Sequence, residues 1–268
     1  MPQGDKAGFS VFWNEFGTGP HPALLLHCAL AHSKVWARLA HYLEDDLLMI
    51  APDMLGHGKS AAPDLTGSLN DQIFAVSSAF LTDPAHLIGH SFGATVALRI
   101  AIEFPERVRS LTLIEPVLFA AAKESDSNAL HTYLAEELPF SEAMSAEDLQ
   151  AAAQAFTRIW SDARAWSHMS DQERSQMANL MPFIQATQSP LFDDTAGLLA
   201  PGRLEAIQCP VLLVRGSETN AIIPAIHTAL ARRIAHAECR VVAQAEHMVP
   251  ITHPQAVAEH IKPMLHAI

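Results

Sequence analysis

The chain has 268 residues, of which 49% are hydrophobic and 17% charged, and its net charge is −12 with histidine neutral. That length suits one large α/β domain or a domain plus a cap, and so few charges argue against broad disorder. The acidic balance repels phosphate backbones and anionic membranes, so neither nucleic acid nor a membrane is an expected partner.

Short apolar runs alternate with helical periods over the first 115 residues. FSVFWNEF (9–16) reads as an early strand. PALLLHCA (22–29) is a continuous apolar run, as expected for a strand buried on both faces. SKVWARLAHYL (33–43) repeats at helical spacing, DLLMIAPD (46–53) is a buried strand, and SLNDQIFAVSSAFL (68–81) is a helix capped by Ser68 or Asn70. AHLIGH (85–90) is a strand, Phe92 to Phe104 a helix ending before Pro105, and VRSLTLIEP (108–116) a strand. This alternation means βαβ units and a parallel sheet, which binds ligands beyond the carboxyl ends of its strands.

From Leu118 to Pro201 strand-like runs disappear and alanine, glutamate, methionine and aromatics dominate, with 148–166 and 171–184 reading as helices. We read this as a helical insertion over the sheet. Its aromatic and methionine side chains, among them Phe140, Phe156 and Trp160, mostly pack, and some are expected to wall a pocket suited to an acyl chain. The α/β pattern then returns: a strand at 209–216, a helix at 224–235, a strand within 237–247, and a closing helix at 254–265 whose last turn Pro263 is expected to break.

Three cysteines, Cys28, Cys209 and Cys239, are far apart and form no C-x-x-C, so they read as small buried apolar side chains in a reducing compartment. MPQGDKAGFSVFW carries no basic-then-apolar leader, and no uncharged apolar run reaches the roughly 18 residues of a membrane span. A cytoplasmic protein is expected, and homo-oligomerisation is left open.

Chemistry is concentrated in Gly89-His90-Ser91-Phe92-Gly93. A strand turning directly into a helix forces its corner residue into a strained conformation and crowds the positions two before and two after, hence glycine at both. The corner serine is held out above the sheet, and the Phe92 amide at the helix N-terminus can stabilise an oxyanion. A serine hydroxyl needs a base. His247, just past the last strand in AEHM, stands at the same sheet edge. His32, His57, His227, His253 and His260 read as surface histidines, and His90 as pointing away from its neighbour Ser91. Ala29, after the second apolar run, is the candidate second oxyanion amide. Asp53 and His57 in APDMLGHGKS read as structural, fixing their loop by local hydrogen bonds.

Together LLLHCALAHSKVW, APDMLGHGKS, LIGHSFGATVAL, FPERVRSLTLIEP, CPVLLVRG and AEHMVPITHP resemble the α/β-hydrolase family over nearly the whole chain outside the insertion. The resemblance implies a mostly parallel eight-stranded sheet with helices on both faces. It also implies a core of residues 1–117 and 202–268, a helical cap at 118–201, and a triad in chain order Ser, acid, His. Ser91 and His247 match residue by residue. The family's usual His-Gly is here His27-Cys28, and cysteine takes positive φ less readily than glycine. The acid is open. The family commonly puts aspartate after strand seven, where RGSETNAIIP offers only Thr219 and Asn220, with Glu218 nearby. Some members, haloalkane dehalogenases among them, use an acid after strand six, and Glu115 in LTLIEP stands there. The alternatives are Glu115, Glu218, and Asn220 or no acid.

The expected function is a serine hydrolase cleaving a small or medium carboxylic ester, thioester or lactone through an acyl-enzyme on Ser91, with no metal or cofactor required. Ser91 in place of a carboxylate excludes a haloalkane dehalogenase. Rival readings are a lyase, perhydrolase or C–C bond hydrolase of the same fold, and a catalytically silent ligand-binding receptor.

Overall fold

In the computed structural model, which describes residues 2–64, 66–160 and 166–265, eight strands form one sheet. They are β1 (Gln3–Lys6), β2 (Phe9–Phe16), β3 (His21–Leu26), β4 (Leu47–Pro52), β5 (Ala85–His90), β6 (Val108–Ile114), β7 (Val211–Gly216) and β8 (Ala237–Val242). Their spatial order is β1-β2-β4-β3-β5-β6-β7-β8. β1 and β2 run antiparallel to their neighbours, and every pair from β4 to β8 is parallel. The chain leaves β3 for β4 on one side and returns with β5 on the other. Strand order therefore reverses at β3/β5, where a doubly wound sheet leaves a crevice above its carboxyl edge.

Side-chain alternation explains the two covered faces. Leu24, Leu26, Leu87, Leu111 and Leu213 pack on the side of α2 (Leu69–Ser78), α3 (Phe92–Glu103) and α8 (Ile222–Arg233). Ala23, Leu25, Ile88, Leu212 and Val214 pack on the side of α1 (Ala37–Leu43) and α10 (Pro254–Leu265). The middle strands are buried on both faces, which is why they read as unbroken apolar runs. Between β6 and β7 the chain forms α4 (Ser127–Ser145), α5 (Leu149–Trp160), α6 (Asp171–Ala178) and α7 (Met181–Asp193). These have their own small core around Phe140, Met144, Ala152, Met181 and Ile184. α9 (Val249–Thr252) is a single turn before α10.

Several expectations need correction. β1 was not anticipated, because its sequence, QGDK, has no apolar alternation; it forms by pairing with β2 at the sheet's edge. The 171–184 helix is two helices, α6 and α7, meeting at Asn179-Leu180, and part of the 148–166 helix falls outside the described residues. Pro263 does not break α10, which continues to Leu265. The carbonyl it orphans belongs to Glu259, which like Pro263 is exposed, so water can replace the missing bond. Ser68, not Asn70, caps α2, its hydroxyl accepting from the Asp71 amide. Cys28 is buried, Cys209 half-buried and Cys239 exposed, since the edge strand β8 leaves most of its residues to solvent. Among the described residues no helix is long and apolar enough to cross a membrane.

Candidate active site

Three strands end at the crevice, and each is followed by a non-glycine residue with positive φ: Leu30 (63°) after β3, Ser91 (55°) after β5 and Glu115 (52°) after β6. Each such residue costs about 1–3 kcal/mol and persists only where its surroundings over-determine it. All three amides are held: Ser91 N–H donates to the Ile114 carbonyl at 2.8 Å, Glu115 N–H to Val214 at 2.9 Å, and Leu30 N–H to His57 Nε2 at 3.0 Å. The positive φ expected to trouble Cys28 is thus carried two residues later by Leu30.

Both elbow glycines are sterically required. A Cβ on Gly89 would lie 2.5 Å from Ala94 Cα, and one on Gly93 only 2.2 Å from the Leu26 carbonyl oxygen. The collisions are with α3 and with β3, so the second glycine lets the helix start press against the neighbouring strand. Ser91 projects from this corner, 8% exposed.

Ser91 and His247 line one cavity together with Cys28, Ala29, Phe92 and Met248. The cavity encloses about 710 Å³ of space free of atoms, counting its mouth, and apart from Val117 the insertion supplies its other walls. Among the described residues, neither the Ala29 nor the Phe92 amide donates a hydrogen bond, so both donors remain free beside Ser91.

Glu115 is fully buried, and its carboxylate ties three elements together. Oε1 accepts from the Gly216 amide at 2.7 Å. Oε2 accepts from the Thr219 hydroxyl at 2.5 Å and from His247 Nδ1 at 3.0 Å. A carboxylate only accepts here, so Nδ1 carries the proton and Nε2 is left as the acceptor of a neutral imidazole. Gly216 must be glycine, because a Cβ there would lie 2.0 Å from the Ala245 carbonyl oxygen. Thr219 stands where an aspartate was expected, and it serves the acid from the neighbouring strand instead. Glu218 is exposed, lines an outer crevice with Glu136, Asn220 and the other side of His247, and makes no hydrogen bond or ion pair through its side chain among the described residues. Asn220 accepts from the Ile222 amide at the start of α8 and donates to Glu136.

Other histidines hold this frame. His90 Nε2 donates to the His247 carbonyl at 2.9 Å, bracing the loop that carries the imidazole. Burial, then the nearby His247, lowers His90 to a pKa of about 3. His57 and His227 are buried, contrary to the surface reading. His57 Nε2 accepts from Leu30 and His27 Nε2 from Met54, which fixes both as neutral rings with the proton on Nδ1. Burial lowers both, His27 to about 3. Asp53 is structural as expected: Oδ1 accepts from the Ser33 amide and hydroxyl, and Oδ2 from the Lys59 amide. From the insertion, the Trp160 ring stands 4.6 Å from the His247 ring. The sequence placed Trp160 only among the insertion aromatics, and no sequence signal pointed to the partners that Thr219 and His90 make.

A sequence profile described as the alpha/beta hydrolase fold matches residues 22–254. The chain belongs to the α/β-hydrolase family. This hydrolase-family chain is 36% identical to Lipase LipV of Mycobacterium tuberculosis over 103 residues, 38% of this chain and 39% of that protein. The aligned stretch is thus well under two thirds of the lipase's own length. It is 25% identical to N-formylmaleamate deformylase of Pseudomonas putida, over 91% of this chain and 88% of that one. Among solved structures, a thermophilic esterase from Thermogutta terrifontis superposes with a TM-score of 0.75 at 20% identity, covering 100% of this chain and 99% of that one. That likeness is one of fold.

Proposed function

We propose that this α/β-hydrolase family member is a serine hydrolase that cleaves a small or medium carboxylic ester, thioester or lactone. The reading is supported most by one observation: His247, hydrogen-bonded through Nδ1 to the buried Glu115, shares a cavity with a serine held at a strained elbow. Ser91 Oγ attacks the carbonyl carbon while His247 Nε2 takes its proton. The amides of Ala29 and Phe92 receive the developing oxyanion, each such donor being worth roughly 10²–10³ in rate. His247 then protonates the leaving group, the acyl group stays on Ser91, and a water activated by His247 releases it. Glu115 holds the imidazole in the required tautomer and stabilises imidazolium. The helices between β6 and β7, residues 118–201, act as the cap, walling the cavity and excluding water from it. A sequence relative named a lipase supports an ester as the substrate.

A silent receptor of this fold would be favoured by a missing acid after β7; the hydrogen bond between His247 and Glu115 after β6 supports the enzyme reading instead. Two variants and a probe test the reading. Fluorophosphonate is expected to label the protein stoichiometrically, and Ser91→Ala to abolish labelling. Glu115→Gln is expected to lower kcat by roughly 10³–10⁴-fold, against less than about threefold for Glu218→Gln, whose side chain is solvated. Equal, small losses for the two carboxylates would remove Glu115 from the mechanism.

A further inference from the structure

The cap face of the cavity carries a charge that the proposed chemistry does not use. Glu137, on α4, is only 7% exposed and lines the same cavity as Ser91 and His247. Its Oε1 accepts from Gln188 Nε2 at 2.6 Å, and its Oε2 from the Ser141 hydroxyl at 3.1 Å. Both donors are neutral. Among the described residues no lysine, arginine or histidine stands within ion-pair distance of it. A desolvated carboxylate without a counter-charge is costly, and about two of its four lone-pair sites remain unused. A glutamine could have made the same link between α4 and α7. The charge itself therefore has no partner inside the fold.

The neighbouring side chains suit a cation. Tyr133 precedes Glu137 by one helical turn and Phe140 follows it by one, and all three line the cavity. Phe156 of α5 packs 6.3 Å from Phe140. Ring faces attract an organic cation, most strongly where it is desolvated. The overall charge of −12 also draws cations toward the molecule.

We propose that the cavity recognises substrates through an organic ammonium group, which Glu137 neutralises and Tyr133, Phe140 and Phe156 enclose. The ester or thioester cleaved at Ser91 carries this ammonium on its acyl or its alcohol or thiol part. The inference rests on the cavity being the substrate pocket of the proposed hydrolase, but its test does not require turnover. Phenyltrimethylammonium is titrated into the full chain by calorimetry, and its neutral carbon isostere tert-butylbenzene is measured by displacement of it. The cation is expected to bind at least about tenfold tighter than the isostere. In Glu137→Gln, which keeps the size of the side chain, that preference is expected to collapse toward one. A preference near one in the native chain, a preference unchanged in the variant, or no saturable binding of the cation would overturn the proposal. Should the variant misfold, the cation–isostere comparison in the native chain decides alone. Fluorophosphonate labelling of Ser91 is read on the same samples. Labelling without cation preference removes the ammonium site only, and cation preference without labelling removes the hydrolase reading only.

Discussion

Glu115 shows how a single side chain can be placed by neighbours distant in sequence. Its strained backbone is tied to β7 through the Val214 carbonyl, and its carboxylate is filled by Gly216, Thr219 and His247. Thr219 acts through Glu115 and is a positioning residue. Thr219→Val keeps the shape and removes one donor, leaving Oε2 with His247 alone. Losing a hydrogen bond to a buried charged group costs about 1–3 kcal/mol, so we expect kcat to fall about tenfold or more with KM nearly constant, and Thr219→Ser to restore much of it. A change confined to KM would contradict that role. Ser91 was legible from its glycine-flanked corner and His247 from its place just past the last strand, whereas Glu115 was one of several acids the sequence left open. The work of Thr219 was not legible, because its partner is 104 residues away and no local pattern records that contact.

Among the elements, the junction of β5, α3 and β3 has least room to vary. A Cβ on Gly93 would meet backbone atoms of Leu26 and His27, which cannot rotate aside as a side chain would. Overpacking of this kind costs about 1–3 kcal/mol and more where backbone must shift. We expect Gly93→Ala to lower the unfolding free energy in urea by that amount, with a lower midpoint, and to depress Ser91 labelling, because the elbow must open to admit the methyl group. Gly4→Ala, where the nearest atoms are of the Trp13 side chain at 3.5 Å, should unfold almost as the native chain does. Equal midpoints for the two variants would refute the steric account. Element types in the α/β parts were readable because buried parallel strands and amphipathic helices differ in period. The ends were less so: β3 stops at Leu26, three residues before its apolar run does, since beyond it the chain leaves the sheet to form the crevice.

At the scale of the molecule, several histidines are sealed inside the fold as neutral rings. Burial is the largest cause lowering His27, His90 and His227, each to about 3 from an ordinary 6.5. Between about pH 3 and 6.5 the unfolded chain therefore binds more protons than the folded one, so stability is lost as pH falls through that window. Each ring contributes up to ~1.4 kcal/mol per pH unit. We expect the urea midpoint to drop steeply from pH 7 to pH 5, and a flat profile would show that these rings take up protons in the folded state. Length, composition and the succession of periods already specified a doubly wound sheet interrupted by helices, with a serine at its tightest corner. Those features come from local backbone preference and from which side chains avoid water, and both are written residue by residue. Which carboxylate reaches the imidazole, which histidines are dry, and which insertion residues look into the cavity depended on chain segments brought together across roughly 50 to 150 residues. Contacts of that range arise only when the strands pair and the helices settle on them, because hydrophobic burial is non-directional and names no partner in advance.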